Sequence, residues 1–260
     1  MDINLSLSGG AARGAYHLGV LQKLDEIGVY VKRISGASIG SFVAVAYASG
    51  FKPLEILEII KTDEFKSAFS LNLDFKSFAK IEFNNKIIQD LLKFKRLEEL
   101  KIPVYLSALD LKSGEIIYFN KGDTLKIVLG SCALIPIFEA VKYDNYFLAD
   151  GGFKDNLPTK PFEKFKEKTV AVDLQPISNL INKYDISLPF KKPKFKDDFN
   201  LITGVNRALR VMLSPQKPKI SKDTIYISSN LIKKYSLFSF KNFDELFELG
   251  YNSVNEEKFR

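Results

Sequence analysis

The sequence predicts an α/β fold, three α/β/α layers around a mostly parallel central sheet, with a sharp strand-to-helix turn of the kind called a nucleophile elbow. Two stretches carry that expectation. In the first, Ile3, Leu5 and Leu7 alternate with polar residues as a strand. It runs into Gly9-Gly10-Ala11-Ala12-Arg13-Gly14, and Tyr16, Val20, Leu24 and Ile27 then recur at helical spacing up to Gly28. The second repeats the plan. A short apolar run leads into Gly36-Ala37-Ser38-Ile39-Gly40, and Ile39, Phe42, Val43, Ala46 and Tyr47 form one helical stripe until Gly50 and Pro53 stop it. Successive strand–loop–helix units of this kind build a parallel sheet covered by helices.

Composition narrows the class. The chain has 260 residues, 46% hydrophobic and 27% charged, enough to bury a sizeable core. Without a low-complexity tract, repeat or long linker, residues 1–260 are expected to form one domain. No apolar run reaches the ~18 residues of a membrane span. Asn4, Ser6 and Ser8 interrupt the first apolar run, which argues against a signal peptide. The single Cys132 rules out an internal disulfide and supplies no metal cluster, which fits a reducing compartment. A net charge of +7 is compatible with nucleic acid, an anionic membrane surface or simple solubility. With 22 Phe and no Trp, the core and any lipid-facing surface must be built largely from Phe.

The glycine-rich loop points backbone N–H groups at an anion. A Walker phosphate loop would need Lys and Ser/Thr after Gly14, where Ala15 and Tyr16 stand. A dinucleotide fingerprint would need glycine where Ala11 stands, and Asp25 and Glu26 fall on the helix itself. An oxyanion hole for acyl transfer needs the same N–H groups and fits better. Ser38, between Gly36 and Gly40, reads either as a helix N-cap or as a nucleophile held in a strained turn at the positive end of a helix.

Residues 53–61 read as a helix. Residues 62–101, with Phe65, Phe69, Phe75, Phe78, Phe83 and Phe94, are partly helical around Ile87, Ile88, Leu91 and Leu92. They read better as a satellite layer packing with Phe than as a mobile cover over an acyl pocket. Strands near 103–109 and 116–120 flank a Lys112-Ser113-Gly114 turn as a hairpin, and a helix follows through Leu125, Val128 and Leu129 to the turn at Pro136. An apolar strand at 146–150 then delivers Asp150 onto Gly151-Gly152. If Ser38 is active it needs a base. The one histidine, His17, shares a helical stripe with Leu21 and Leu24 and reads as a structural residue, so the base must be a carboxylate. Asp150 is the best placed, with Asp110, Asp144, Asp155 and Asp173 behind it. In the tail, 170–174 and 224–228 read as strands and 198–213 and 242–259 as helices. The lysine-rich run at 183–196 reads as a solvated loop rather than a lipid-docking surface.

Taken together, these stretches resemble the patatin-like phospholipase family, over roughly residues 3–175. The resemblance rests on SLSGGAARGAYHLGVL, the G-x-S-x-G turn, KGDTLKIVLGSCALIPIF and DGGFKDNLP, in that order. It implies Ser38 as nucleophile and Asp150 as base, with an oxyanion hole from the backbone around Gly10, Ala11 and Ala12, and Arg13 fixing that loop. Ala11 departs from the family's third glycine, so a positive φ there would cost energy. Residues 176–260 match no motif. The implied activity is hydrolysis of fatty-acyl esters of the phospholipase A or lysophospholipase type. The alternatives are a general carboxylesterase or thioesterase, or a non-catalytic lipid-binding module. No metal or cofactor is required, the partner is a lipid or phospholipid substrate, and no nucleic acid is implied. The expected place is the cytoplasm, with at most peripheral contact at the inner membrane surface.

Overall fold

The structure is a computed structural model that describes residues 1–69, 90–135, 138–175, 220–237 and 240–260. The aromatic positions at 75, 78 and 83, the helical turn at 87–88, Pro136, the basic run at 183–196 and the 198–213 helix all lie outside the described residues.

The sheet forms around β1 (Asp2–Leu7), which pairs in parallel with β2 (Tyr30–Ala37) on one edge and β7 (Lys168–Val172) on the other. Next to β2 lies β3 (Val104–Asp110), also parallel, and beyond β7 lies β8 (Ile225–Ile227). Three short antiparallel strands complete the β3 end: β4 (Ile116–Phe119), β5 (Val141–Tyr143) and β6 (Tyr146–Asp150). The order β3-β2-β1-β7-β8 reverses direction at β1, and at such a switch point the carboxyl ends of the strands leave a crevice. Helices pack on both sides of this mixed, mostly parallel sheet.

The polar residues of β1 do not face water. Asn4 and Ser6 are as buried as Leu5, because β1 is central and the 156–167 segment lies beneath it. Asn4 Nδ2 donates to Glu167 O at 3.0 Å, and Ser35 Oγ, on β2, donates to Pro158 O at 2.6 Å. The alternation in this strand therefore separates an apolar packing face from a buried polar one, on which Asn4 is hydrogen-bonded and the Ser6 hydroxyl has no partner among the described residues.

Capping chemistry sets the helix ends. Helix α1 (Ala15–Glu26) ends where Gly28 takes φ +72° and Val29 N reaches back to Leu24 O at 3.0 Å. Helix α2 (Ile39–Ala48) stops before Gly50, at φ +97°. Helix α3 (Pro53–Lys61) begins with proline, and Glu55 caps the Lys52 N–H at 2.8 Å. Helix α4 (Asp63–Phe69) follows, and Asp123 caps α5 (Thr124–Cys132) through Lys126 N at 2.8 Å. The final helix is shorter than the sequence pattern predicts. Helix α6 spans Phe243–Asn252, and a separate 3-10 turn covers Glu256–Phe259. Between them Ser253 Oγ bonds back to Leu249 O at 2.7 Å, and the Asn255 side chain accepts Glu257 N at 3.0 Å. Such short polar side chains compete with the helical ladder and start a new turn.

Helix α6 joins the core by lying directly on α1. A Cβ added at Gly19 would come within 1.9 Å of Phe247 O, and one at Gly250 within 2.1 Å of Tyr16 O, so the two backbones touch where neither has a side chain. Gly19→Ala and Gly250→Ala should each destabilise the protein by about 1–3 kcal/mol or more, since backbone cannot retreat as a side chain can. Thermal unfolding of both variants checks this, and a melting temperature unchanged from wild type would contradict the close crossing.

Candidate active site

One edge of β3 decides what meets at the carboxyl end of the sheet. On that edge Ser107 pairs with Ala37 of β2, and the next residue, Ala108, pairs with Asp150 of β6. The opposite edge is filled by β4, with Tyr118 against Ser107 and Ile117 against Ala108. β2 therefore leaves β3 at the residue before Ser38, and β6 arrives antiparallel at Asp150. Ser38 and Asp150 line the same cleft, and the Ser38 hydroxyl is close enough to the Asp150 carboxylate to pull its pKa down.

The elbow needs its glycines for close approach. A Cβ at Gly36 would lie 2.4 Å from Gly40 O, and one at Gly40 would lie 2.3 Å from Leu7 O. Ser38 itself sits at φ 51°, ψ −125°, a conformation that costs a non-glycine residue about 1–3 kcal/mol. It occupies the N-cap position of α2, yet its side chain makes no capping bond. The N-cap reading is thus satisfied in position and not in chemistry.

Asp150 is 5% exposed, and its carboxylate accepts Gly152 N at 2.8 Å. Burial pushes its pKa from 3.8 up to about 6, against the opposing pull of the hydrogen bonds from Ser38 and Gly152. Gly151 packs against β3, where a Cβ would meet Ser107 Oγ at 2.4 Å. The other candidate carboxylates are bonded elsewhere or lie at the surface. Asp110 closes the 111–114 turn through Lys112 N, Ser113 N and Ser113 Oγ, which with other hydrogen bonds hold its pKa down at about 2. Asp155 accepts from Tyr118 and Asp173 from Tyr226, while Asp144 is exposed at a turn with φ 47°. His17 is fully buried, and its Nε2 lies 2.8 Å from Ser8 O. Burial lowers its pKa to about 4, so it is neutral at ordinary pH.

The glycine-rich loop folds as a 3-10 turn, Ala11–Gly14, in front of α1. Ala11 takes φ 48°, the strained conformation that its missing glycine raised as a question. Of the three N–H groups expected to face an anion, that of Ala12 is spent on Leu237 O at 2.9 Å. Gly9 N bonds Asn156 O at 3.1 Å and Arg13 N bonds Gly10 O at 3.1 Å, which leaves Gly10 and Ala11 unpartnered among the described residues. Arg13 fixes the loop from beneath: it donates to Tyr235 O at 3.0 and 2.7 Å and to Leu174 O at 3.1 Å. Its burial lowers the guanidinium to about 10, still charged at neutral pH.

A cleft of about 780 Å³, open solvent included, lies beside Ser38 and Asp150, which with the Cys132 thiol are its only non-hydrocarbon side chains among the described residues. Phe42, Phe65, Phe138, Phe240 and Phe243 form much of its wall, and the Phe42 and Phe65 rings stand 5.3 Å apart. Phe65 thus packs in the core, as expected, and lines the cleft as well. Three contributions were not legible in the motifs. Asn156 ties the Gly9 loop to the turn after Asp150, through its own backbone and Nδ2 to Gly9 O at 3.2 Å. Leu237 and Tyr235 brace the loop, and Phe240 and Phe243 come from the motif-free tail. Only the position of Asn156, inside DGGFKDNLP, offered a signal.

A family model described as patatin-like phospholipase matches residues 5–163. Lysophospholipase NTE1 of Candida albicans is 24% identical over 280 residues, covering 98% of this chain and 20% of that protein. Its counterpart in Candida glabrata is 26% identical over 268 residues, covering 95% of this chain and 15% of that protein. The chain thus spans a fifth or less of the length of these curated relatives. Among solved structures, VipD from Legionella pneumophila aligns with a TM-score of 0.50 at 13% identity, over 97% of this chain and 65% of that one, a likeness of fold.

Two outcomes are expected from this geometry. The folded protein keeps a proton on Asp150 up to about pH 6, whereas the unfolded chain releases it near 3.8. Stability therefore falls as pH rises between those values, and the ionised carboxylate costs about 3 kcal/mol above pH 7. Asp150→Asn should melt higher than wild type at about pH 8 and should lose that advantage at about pH 4; equal melting at both would show an unperturbed carboxyl. His17→Gln, if folded, should stay within roughly tenfold of any ester-hydrolysing rate that the wild type shows, against the ~10⁴-fold or greater loss of removing a catalytic base. A His17→Gln protein of wild-type stability with no measurable hydrolysis would make His17 the base.

Proposed function

This chain belongs to the patatin-like phospholipase family, and from that premise we propose that it hydrolyses fatty-acyl esters of lipids through a Ser38–Asp150 dyad. The observation that carries the reading is the Ser38–Asp150 pair set as the polar end of a phenylalanine-walled cleft. Such a cleft suits a hydrocarbon chain whose ester carbonyl stops at the Ser38 hydroxyl.

In this mechanism Asp150 takes the Ser38 proton as Oγ attacks the ester carbonyl. The resulting oxyanion is met by the Gly10 and Ala11 N–H groups, a kind of contact worth about 3 kcal/mol per donor in other hydrolases. Collapse breaks the ester bond, and Asp150 returns the proton to the leaving alcohol. Asp150 then draws a proton from water, which attacks the acyl-enzyme, frees the fatty acid and restores Ser38. A base with a pKa of about 6 is ionised at neutral pH and still basic enough to accept a proton in the transition state. The similarity to lysophospholipases makes single-chain phospholipids the first substrates to test, ahead of diacyl phospholipids and simple esters. Residues 225–260 belong to the same domain in this reading, supported by α6 on α1 and by the Leu237 and Tyr235 bonds to the loop. Among the described residues no helix is long and apolar enough to cross a membrane.

Ser38→Ala and Asp150→Asn should each fold and should each lose about 10⁴-fold or more in kcat/KM on a lysophospholipid, since members of one catalytic unit fail singly about as badly as together. Fluorophosphonate should label Ser38 in the wild type. A tenth or more of wild-type kcat/KM in Asp150→Asn would assign the base to another carboxylate, and an unlabelled folded wild type would favour a lipid-binding module.

A further inference from the structure

Ser38 is anchored by its own backbone. Its N–H donates to Ser131 Oγ at 3.0 Å. Ser131 lies near the end of α5 and is fully buried. The same oxygen donates its proton to Ser107 O at 2.7 Å. Its 2.7 Å bond with Ser41 Oγ must then be donated by Ser41, because a hydroxyl has one proton and two lone pairs. All three hydrogen-bonding capacities of Ser131 are filled, by the elbow, by the first turn of α2 and by β3. Ser107 is the β3 residue paired with Ala37, one place before the residue that pairs with Asp150.

We propose that Ser131 is the positioning residue for Ser38, holding the elbow against the β3 edge that carries Asp150; the inference rests on the Ser38–Asp150 reading. A residue at φ 51° persists only where its surroundings over-determine it, and a bond on its own N–H acts on that dihedral directly. Rotation of the Ser38 peptide would swing Oγ away from the Asp150 carboxylate. The bond has a second consequence. It spends the Ser38 N–H, which some serine hydrolases turn toward the oxyanion, and leaves that task to Gly10 and Ala11. Ser131 touches neither substrate nor the reacting atoms in this account.

The test measures kcat, KM and the rate of fluorophosphonate labelling across pH for wild type, Ser131→Ala and Ser131→Thr. Ser131→Ala should lower kcat and the labelling rate roughly 10- to 100-fold with KM within about twofold, as expected for a small misplacement of a reacting group. It should also move the midpoint of the labelling profile upward by about half a unit or more. The Ser38 hydroxyl opposes the rise that burial imposes on the Asp150 pKa, so weakening that opposition lets the pKa rise further. Cys132 is the titratable group set beside Asp150, and its thiol is kept neutral by burial and by the Asp150 charge. Ser131→Thr, which keeps the oxygen, should recover most of the rate and the wild-type midpoint. Ser131→Cys, close in volume with a weaker acceptor, gives the same readouts if the alanine variant does not fold. A slower variant with a lower melting temperature and an unchanged midpoint would reduce Ser131 to a packing residue and overturn the proposal, as would a wild-type rate. Absence of labelling at Ser38 in the wild type would instead remove the dyad reading, and the positioning role with it.

Discussion

The shared edge of β3 is the constraint on which the site depends. A strand edge offers one row of donors and acceptors, and here β2 uses that row as far as Ser107 while β6 takes it over from Ala108 in the opposite direction. The two incoming strands therefore stop nearly end to end. Each must turn sharply away, β2 through Gly36–Gly40 and β6 through Gly151–Gly152, and the residues at the two turns are Ser38 and Asp150. Backbone pairing, one of the stiffest elements of a folded chain, thus sets the separation of serine and carboxylate. Side-chain packing only refines it.

Several local costs converge at this point. Ser38 and Ala11 both hold positive φ, and Asp150 is buried where ionisation is penalised. Each costs on the order of 1–3 kcal/mol, so the site is held in shape by the rest of the fold. The counterweights are visible: the apolar face of β1, the backbone contact of α1 with α6, the Arg13 bonds to the carbonyls of Tyr235 and Leu174, and the filled hydrogen-bonding set of Ser131. Local strain opposed by a rigid surround is the expected arrangement wherever sequence-level rules are broken at a working site.

Much of this was readable in the sequence because it depends on neighbours along the chain. The strand–loop–helix units, the elbow between two glycines, the Asp-Gly-Gly turn and the His17 stripe are local patterns, and each appears where it was expected. What the sequence concealed depends on partners far away. Asn4 and Ser6 look like the wet face of a strand, yet both are fully buried, with Asn4 bonded to Glu167 O. Ala12 looks like an oxyanion donor until Leu237 takes its N–H. Phe240 and Phe243 carry no motif, and only the docking of α6 on α1 brings them to the cleft. The early end of α6 follows from Ser253 and Asn255, whose side chains bond backbone groups and start a new turn.

The proposed mechanism uses a single buried carboxylate, with no imidazole, as its base. The pH dependence of kcat/KM on a soluble short-chain ester, measured for wild type from about pH 4 to 9, tests it most directly. The account predicts one ascending limb with a midpoint near 6, the pKa to which burial lifts Asp150. A rate flat through that region, or a limb centred near an ordinary carboxylate pKa of about 4, would contradict it.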